Sequence, residues 1–269
     1  MKQILIMGDS WGVPEYSMTL KDNLPSPEAA SRYRPWLKAK PYYSGDCHTQ
    51  HYLKNLGYDV HNSGHGGISN IQAIRNTVSA IRNKNLNPDY IIWFHTALFR
   101  DFKHFQTKIS LMKKYEEVVN DLAEAVYKKM ALFLKDYNSP KLIAIGGQAP
   151  IVRNVFDKHL SAFFSIDDWR SKILNEKLPE FQAYGSEPML RSWNWLTKDM
   201  DRLTSISELY RDKMTATSDQ AGVEDPLFPD CSHPGRTPHF ELSEIIHSVI
   251  SKSNEIESHA YIKKPGTAL

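Results

Sequence analysis

Cysteine is almost missing from this chain: there are two in 269 residues, Cys47 and Cys231. Two are too few for a disulfide framework, which excludes the small cross-linked secreted class and suits a reducing compartment. Charge of one sign is missing as well. Lys and Arg number 33 against 31 Asp and Glu, a formal net charge of +2. No basic stripe is available to follow a phosphate backbone, so nucleic-acid binding is not expected. No apolar run approaches the ~18 residues of a membrane span. The amino terminus has one lysine before a short apolar run and no small-residue cleavage site, so it does not read as a signal peptide. These absences predict a soluble, cytoplasmic protein with no membrane partner. Internal repeats, low-complexity tracts and obvious linkers are also lacking. A single domain over 1–269 is therefore expected, with insertions at about 12–50 and 151–200, where proline and aromatic residues interrupt any clean period.

What the chain does have is a series of short apolar runs separated by longer amphipathic stretches. Strands are predicted at residues 3–7, 58–62, 89–94 and 141–147, the third (DYIIWF) nearly continuous in apolar residues, as when both faces of a parallel sheet are covered. Helices are predicted at 68–82, where Ile71, Ile74, Val78 and Ile81 recur at helical spacing, and at about 110–137, 195–214 and 240–251. Alternating strands and helices call for an α/β fold, a parallel sheet covered on both sides. Right-handed crossovers place every strand's carboxyl end on one edge. Residues 8–10, 62–69, 95–101 and 146–150 should therefore meet there.

Three groups at that edge carry chemistry. The first strand ends in GDSW, with Ser10; NSGHGGIS follows the second strand; PDCSHPG precedes the last helix. A serine hydroxyl is a poor nucleophile at neutral pH without a base in hydrogen-bond reach. His233 has the right titration range, and Asp230, three residues earlier, is placed to orient its ring and stabilise the imidazolium. Backbone N–H groups at Ser10 and Gly67 are candidates to face a developing oxyanion, glycine allowing close backbone approach.

GDSW, N-x-G-x-x-G-x-S at 62–69 and D-x-x-H at 230–233 resemble, in the right order, the first, second and last blocks of the SGNH (GDSL-type) hydrolases. The resemblance implies a three-layer α/β/α sandwich with a flavodoxin-like sheet and hydrolysis of a carboxylic ester through an acyl-serine intermediate, without cofactor. An O-acetylated carbohydrate or another small-molecule ester is the expected substrate class. By the same resemblance Ser10 is the nucleophile, His233 the base, Asp230 its orienter and Gly67 an oxyanion donor. The third block departs from the pattern. Where the family has an asparagine oxyanion donor, this chain reads WFHTALFRD and Ala97 occupies the position. Losing such a donor costs a factor of ~100 or more in rate, and His95 or Thr96 is expected to cover the role.

Each residue also has a plainer reading. Ser10 alone suits a turn or a helix cap, and His233 a surface position. His48-x-x-His51 after Asp46 lacks the H-E-x-x-H context and further ligands in order, so no metal is expected. His61 and His65 are either extra imidazoles of the site or partners of loop backbone. Arg100 and Asp101 read as a local pair or cap, with binding of an anionic substrate the lesser reading. Cys231 reads as packing. Trp36, Tyr42, Tyr43, Trp169, Trp193 and Trp195 suit packing better than stacking on sugars. The competing functional classes are an SGNH-fold binding protein that has lost activity and a metal-dependent phosphoesterase.

Overall fold

The computed structural model describes residues 1–9, 11–12, 48–110, 113–177, 234 and 236–262. The elements run β1 (Gln3–Gly8), α1 (Thr49–Asn55), β2 (Asp59–Asn62), α2 (Asn70–Lys84), β3 (Tyr90–His95), a 3-10 turn at Leu98–Asp101, α3 (Phe102–Phe105), α4 (Tyr115–Asp136), β4 (Lys141–Gly146), α5 (Arg153–His159), β5 (Phe164–Ile166), α6 (Trp169–Lys177) and α7 (Arg236–Ile262). The five strands pair in the order β2-β1-β3-β4-β5, all in parallel. This is the flavodoxin-like order, in which successive connections leave β1 in one direction and β3 in the other. The crevice at the carboxyl ends of β1 and β3 is thus the switch point where such sheets hold ligands.

Strand alternation divides the core into two layers. Leu5, Met7, Ile91, Trp93, Leu142 and Ala144 face α2, α4 and α5. Ile4, Ile6, Ile92, Phe94, Ile143 and Ile145 face Leu53 of α1, Trp169 and Ile173 of α6, and Leu242, Ile246 and Ile250 of α7. The fold is a three-layer α/β/α sandwich. α4 alone buries eight side chains, from Val118 to Phe133. At roughly 1.5–3 kcal/mol for each large one, this packing rather than helix propensity sets its stability. Among the described residues no helix is long and apolar enough to cross a membrane.

The expected strands occur, with β1 continuing to Gly8 and β3 to His95. The helix expected at 68–82 starts at Asn70, because Ser69 caps it: its Oγ accepts the Gln72 N–H at 3.3 Å. The helix expected at 110–137 spans Tyr115–Asp136, and the last helix is longer than 240–251, spanning Arg236–Ile262. The segment 151–200 holds α5, β5 and α6 as far as Lys177. The helix expected at 195–214, and all of the 12–50 insertion except Gly12 and 48–50, lie outside the described residues.

Candidate active site

β1 ends on a glycine for a steric reason. Gly8 has φ +136°, and a Cβ there would lie 2.5 Å from the Phe94 carbonyl oxygen of β3. Only glycine fits both the dihedral and the gap. Asp9 follows and is completely buried. Its Oδ1 accepts the Trp11 N–H at 3.1 Å, and its carbonyl accepts the Gly12 N–H at 2.9 Å, closing a four-residue turn from Asp9 to Gly12. Its Oδ2 accepts the Thr96 hydroxyl at 2.6 Å and Nη1 of Arg100 at 2.9 Å. Within the turn, Trp11 is buried edge-on against Trp169, with ring centroids 5.7 Å apart.

The glycine-rich turn after β2 is fastened to this one. Asn62 Nδ2 donates to the Gly12 carbonyl at 2.7 Å, while its Oδ1 accepts the Gly64 N–H at 2.8 Å. The His65 N–H donates to the Gly8 carbonyl at 3.1 Å. Gly67 is exposed at the rim with φ +71°, and its N–H meets no acceptor among the described residues.

The segment after β3 holds both turns from below. Asn70 and Thr96 bond reciprocally: Asn70 Nδ2 donates to the Thr96 carbonyl, and its Oδ1 accepts the Thr96 N–H, both at 3.1 Å. Asp101 is buried and accepts the N–H groups of Asn70 at 3.1 Å and Ile71 at 2.8 Å, together with Asn70 Nδ2 at 2.9 Å. It is the anionic cap of α2. Burial pushes its carboxyl above the usual range, and these hydrogen bonds partly offset the rise.

Of the residues singled out in the sequence, Ser10, Asp230 and His233 lie outside the described residues, as do Cys231, Trp36, Tyr42, Tyr43, Trp193 and Trp195. Gly67 stands at the expected edge. The expectation of an oxyanion donor at His95 or Thr96 does not fit the geometry. His95 shares its face of β3 with Ile91 and Trp93 and is fully buried. Its Nδ1 lies 3.2 Å from the Ala149 carbonyl and its Nε2 3.3 Å from the Tyr127 hydroxyl, which itself accepts the Val152 N–H. A neutral ring protonated at Nδ1 satisfies this chain and leaves no N–H for a substrate. Burial lowers the His95 pKa to about 4. The Thr96 hydroxyl is spent on Asp9, and Ala97 is packed in the core.

Arg100 and Asp101 do not pair with each other: Arg100 binds Asp9 and the Thr96 hydroxyl, and Asp101 caps α2. His48 caps α1 by accepting the Gln50 N–H at 3.2 Å, stacks 4.4 Å from His239, and has its pKa lowered by burial to about 4. His51 contacts Asn55, His61 lies 3.2 Å from an Asp59 oxygen, and His65 contacts the neighbouring Gly66 carbonyl. Among the described residues, no three His, Cys, Asp or Glu side chains converge as a metal site. Trp169 is packed against Trp11, Phe94 and His239. Asp9 and Asn70 join these segments through hydrogen bonds, and their local sequence signal is only polarity at strand and helix ends.

No protein-family model and no curated protein matches the chain. Solved structures similar to it include the lipase/acylhydrolase of Enterococcus faecalis, at 14% identity over 94% of this chain and 95% of that one, with a TM-score of 0.32. A variant of an acetyl-xylooligosaccharide esterase from Geobacillus matches at 15% identity over 92% and 94%, with a TM-score of 0.35. An α/β hydrolase from a Lake Arreo metagenome matches at 12% identity over 92% and 94%, with a TM-score of 0.35.

Proposed function

We propose that this chain is a serine ester hydrolase of the SGNH type, acting without metal or cofactor on a carboxylic ester such as an O-acetylated carbohydrate. The observation that carries the reading is the fastening of the GDSW turn to the glycine-rich turn, through Asn62 to Gly12 and His65 to Gly8, at the switch point of the sheet. Two motifs 50 residues apart in sequence thereby share one edge, the arrangement an acyl-transfer site requires.

In the cycle, His233 takes the Ser10 hydroxyl proton as Oγ attacks the ester carbonyl, and Asp230 holds the imidazolium. Backbone N–H groups of Ser10 and Gly67 receive the oxyanion. His233 then protonates the leaving alcohol, and a water activated by the same ring releases the acid and frees Ser10.

The test is labelling with a fluorophosphonate, followed by peptide mapping and an assay on p-nitrophenyl acetate. Modification at Ser10, its loss in His233→Ala, and at least a 1,000-fold loss of hydrolysis in Ser10→Ala (on the order expected for a triad member) are the expected results. Hydrolysis by Ser10→Ala at the wild-type rate sinks the proposal. The buried Ala97 in the third block favours one second reading, a binding protein that keeps the fold. For that protein the label is absent while the fold is intact.

A further inference from the structure

The third block lacks its asparagine, and the geometry denies the role to His95 and Thr96. We infer that Arg100 supplies the missing oxyanion donor, its guanidinium taking the place of the side-chain amide. This rests on the serine-hydrolase reading and adds a residue to it.

Position is the first ground. Arg100 lies in the 3-10 turn after β3, on the far side of the switch point from the glycine-rich turn. Its Nη1 reaches both motif turns: it donates to Asp9 Oδ2 at 2.9 Å, one residue before the nucleophile, and lies 3.4 Å from the carbonyl of Ile68, one residue after Gly67. The guanidinium therefore bridges Asp9, at the end of the first motif's strand, and Ile68, beside Gly67 in the glycine-rich turn.

The second ground is how the group is held. Thr96 Oγ1, 3.1 Å from Nη1, completes three acceptors around that single nitrogen. Nη2 and Nε have no acceptor among the described residues, and the side chain keeps 28% of its exposure. An arginine present only to neutralise a buried carboxylate gains most from a bidentate fork, two parallel N–H···O bonds. Here one nitrogen fixes the plane, and the other edge of the fork is left for a ligand.

Chemistry is the third. Asp9 already has the Trp11 N–H and the Thr96 hydroxyl, so it does not need all of the guanidinium's donors. A rigid, permanently charged donor held at a half-buried edge meets developing negative charge without reorganising, which is what makes such groups effective. Arg100 is in this sense a catalytic residue: Nη2–H or Nε–H donates to the tetrahedral oxygen, and no proton is transferred.

The experiment compares Arg100→Met and Arg100→Lys with wild type on p-nitrophenyl acetate and on the corresponding thionoester, whose larger, softer sulfur accepts hydrogen bonds poorly. Ser10→Ala runs in parallel. Both Arg100 variants are expected to lose about 100-fold in kcat on the oxoester, with KM within threefold, and to narrow the oxoester-to-thionoester rate ratio at least tenfold. The ratio does not depend on the fraction of enzyme folded. Arg100→Lys keeps a cation beside Asp9, so the comparison survives if Arg100→Met does not fold. A kcat within threefold of wild type in Arg100→Lys overturns the inference. So does a loss with an unchanged rate ratio, which marks Arg100 as merely structural. A loss confined to KM on an acidic ester also overturns it, by assigning Arg100 to substrate binding. Wild-type hydrolysis by Ser10→Ala overturns the serine-hydrolase reading and this inference together.

Discussion

A fully buried carboxylate is costly to keep, and Asp9 shows how one is kept. Desolvating it is opposed by three donors of different kinds: a backbone N–H from Trp11, the Thr96 hydroxyl and the Arg100 guanidinium. The shortest of the three is the hydroxyl, at 2.6 Å. Thr96→Val keeps the shape of the side chain and removes that one donor, leaving Asp9 with two. A hydrogen bond to a charged group contributes about 1.5–3 kcal/mol, so the urea midpoint of the valine variant should fall by that equivalent. Its m-value should stay constant, since the surface exposed on unfolding is the same. A midpoint equal to wild type would show that Arg100 and Trp11 hold Asp9 unaided. Asp9 is thus a structural group that ties the end of β1 to the segment after β3.

At the level of elements, the first turn of α2 joins the sequence motif to the sheet edge. Ser69, the last residue of N-x-G-x-x-G-x-S, is the local cap, and Asp101 is a second one brought from 30 residues further along the chain. Because Asp101 accepts two backbone N–H groups and an amide, Asp101→Ala should cost about 2–3 kcal/mol, against about 1 kcal/mol for Ser69→Ala. Denaturant titration of both variants settles the order; equal losses would mean that water replaces the remote carboxylate. The S-x-x-Q spacing of Ser69 and Gln72 is a local cap signal that the expected helix start at residue 68 overlooks, whereas nothing local says which helix the distant Asp101 will meet. The same divide runs through the rest of the fold. The runs ILIM, YIIWF and LIAI are apolar on both faces and read directly as inner strands. β5 is three half-buried residues, too short for any period, and its placement comes from pairing with β4. For His95 the sequence signal is one of parity. Extending β3 by one residue puts position 95 on the parity of 91 and 93, hence in the core rather than at the rim.

At the scale of the whole molecule, each layer carries among the described residues a buried histidine whose pKa burial lowers, and both bear on the response to acid. His95 sits on the α2–α4 side of the sheet, and His48 sits on the other, against Phe94 and His239. Burial lowers both pKa values from 6.5 to about 4. A histidine whose folded pKa is depressed binds fewer protons in the native state than in the unfolded chain between those two values. Stability therefore rises with pH through that window and is lost as pH falls from 6.5 toward 4. Each ring should remove about 2 kcal/mol between pH 7 and pH 5. The two together are a large share of the ~5–15 kcal/mol that holds a domain of ordinary stability. Asp101 works in the opposite sense. With its folded pKa raised, its ionised form costs stability at neutral pH, and that cost is relieved as the carboxyl takes up a proton. This acts against the fall that the two rings cause. His95→Asn tests the account. It keeps a donor near the Ala149 carbonyl and cannot titrate, so it should be less stable than wild type at pH 7 yet lose about 2 kcal/mol less on going to pH 5. Urea unfolding of both proteins at the two pH values reads this directly. A variant that loses as much stability as wild type between pH 7 and pH 5 shows that the ring at position 95 is not a site of acid uptake on unfolding.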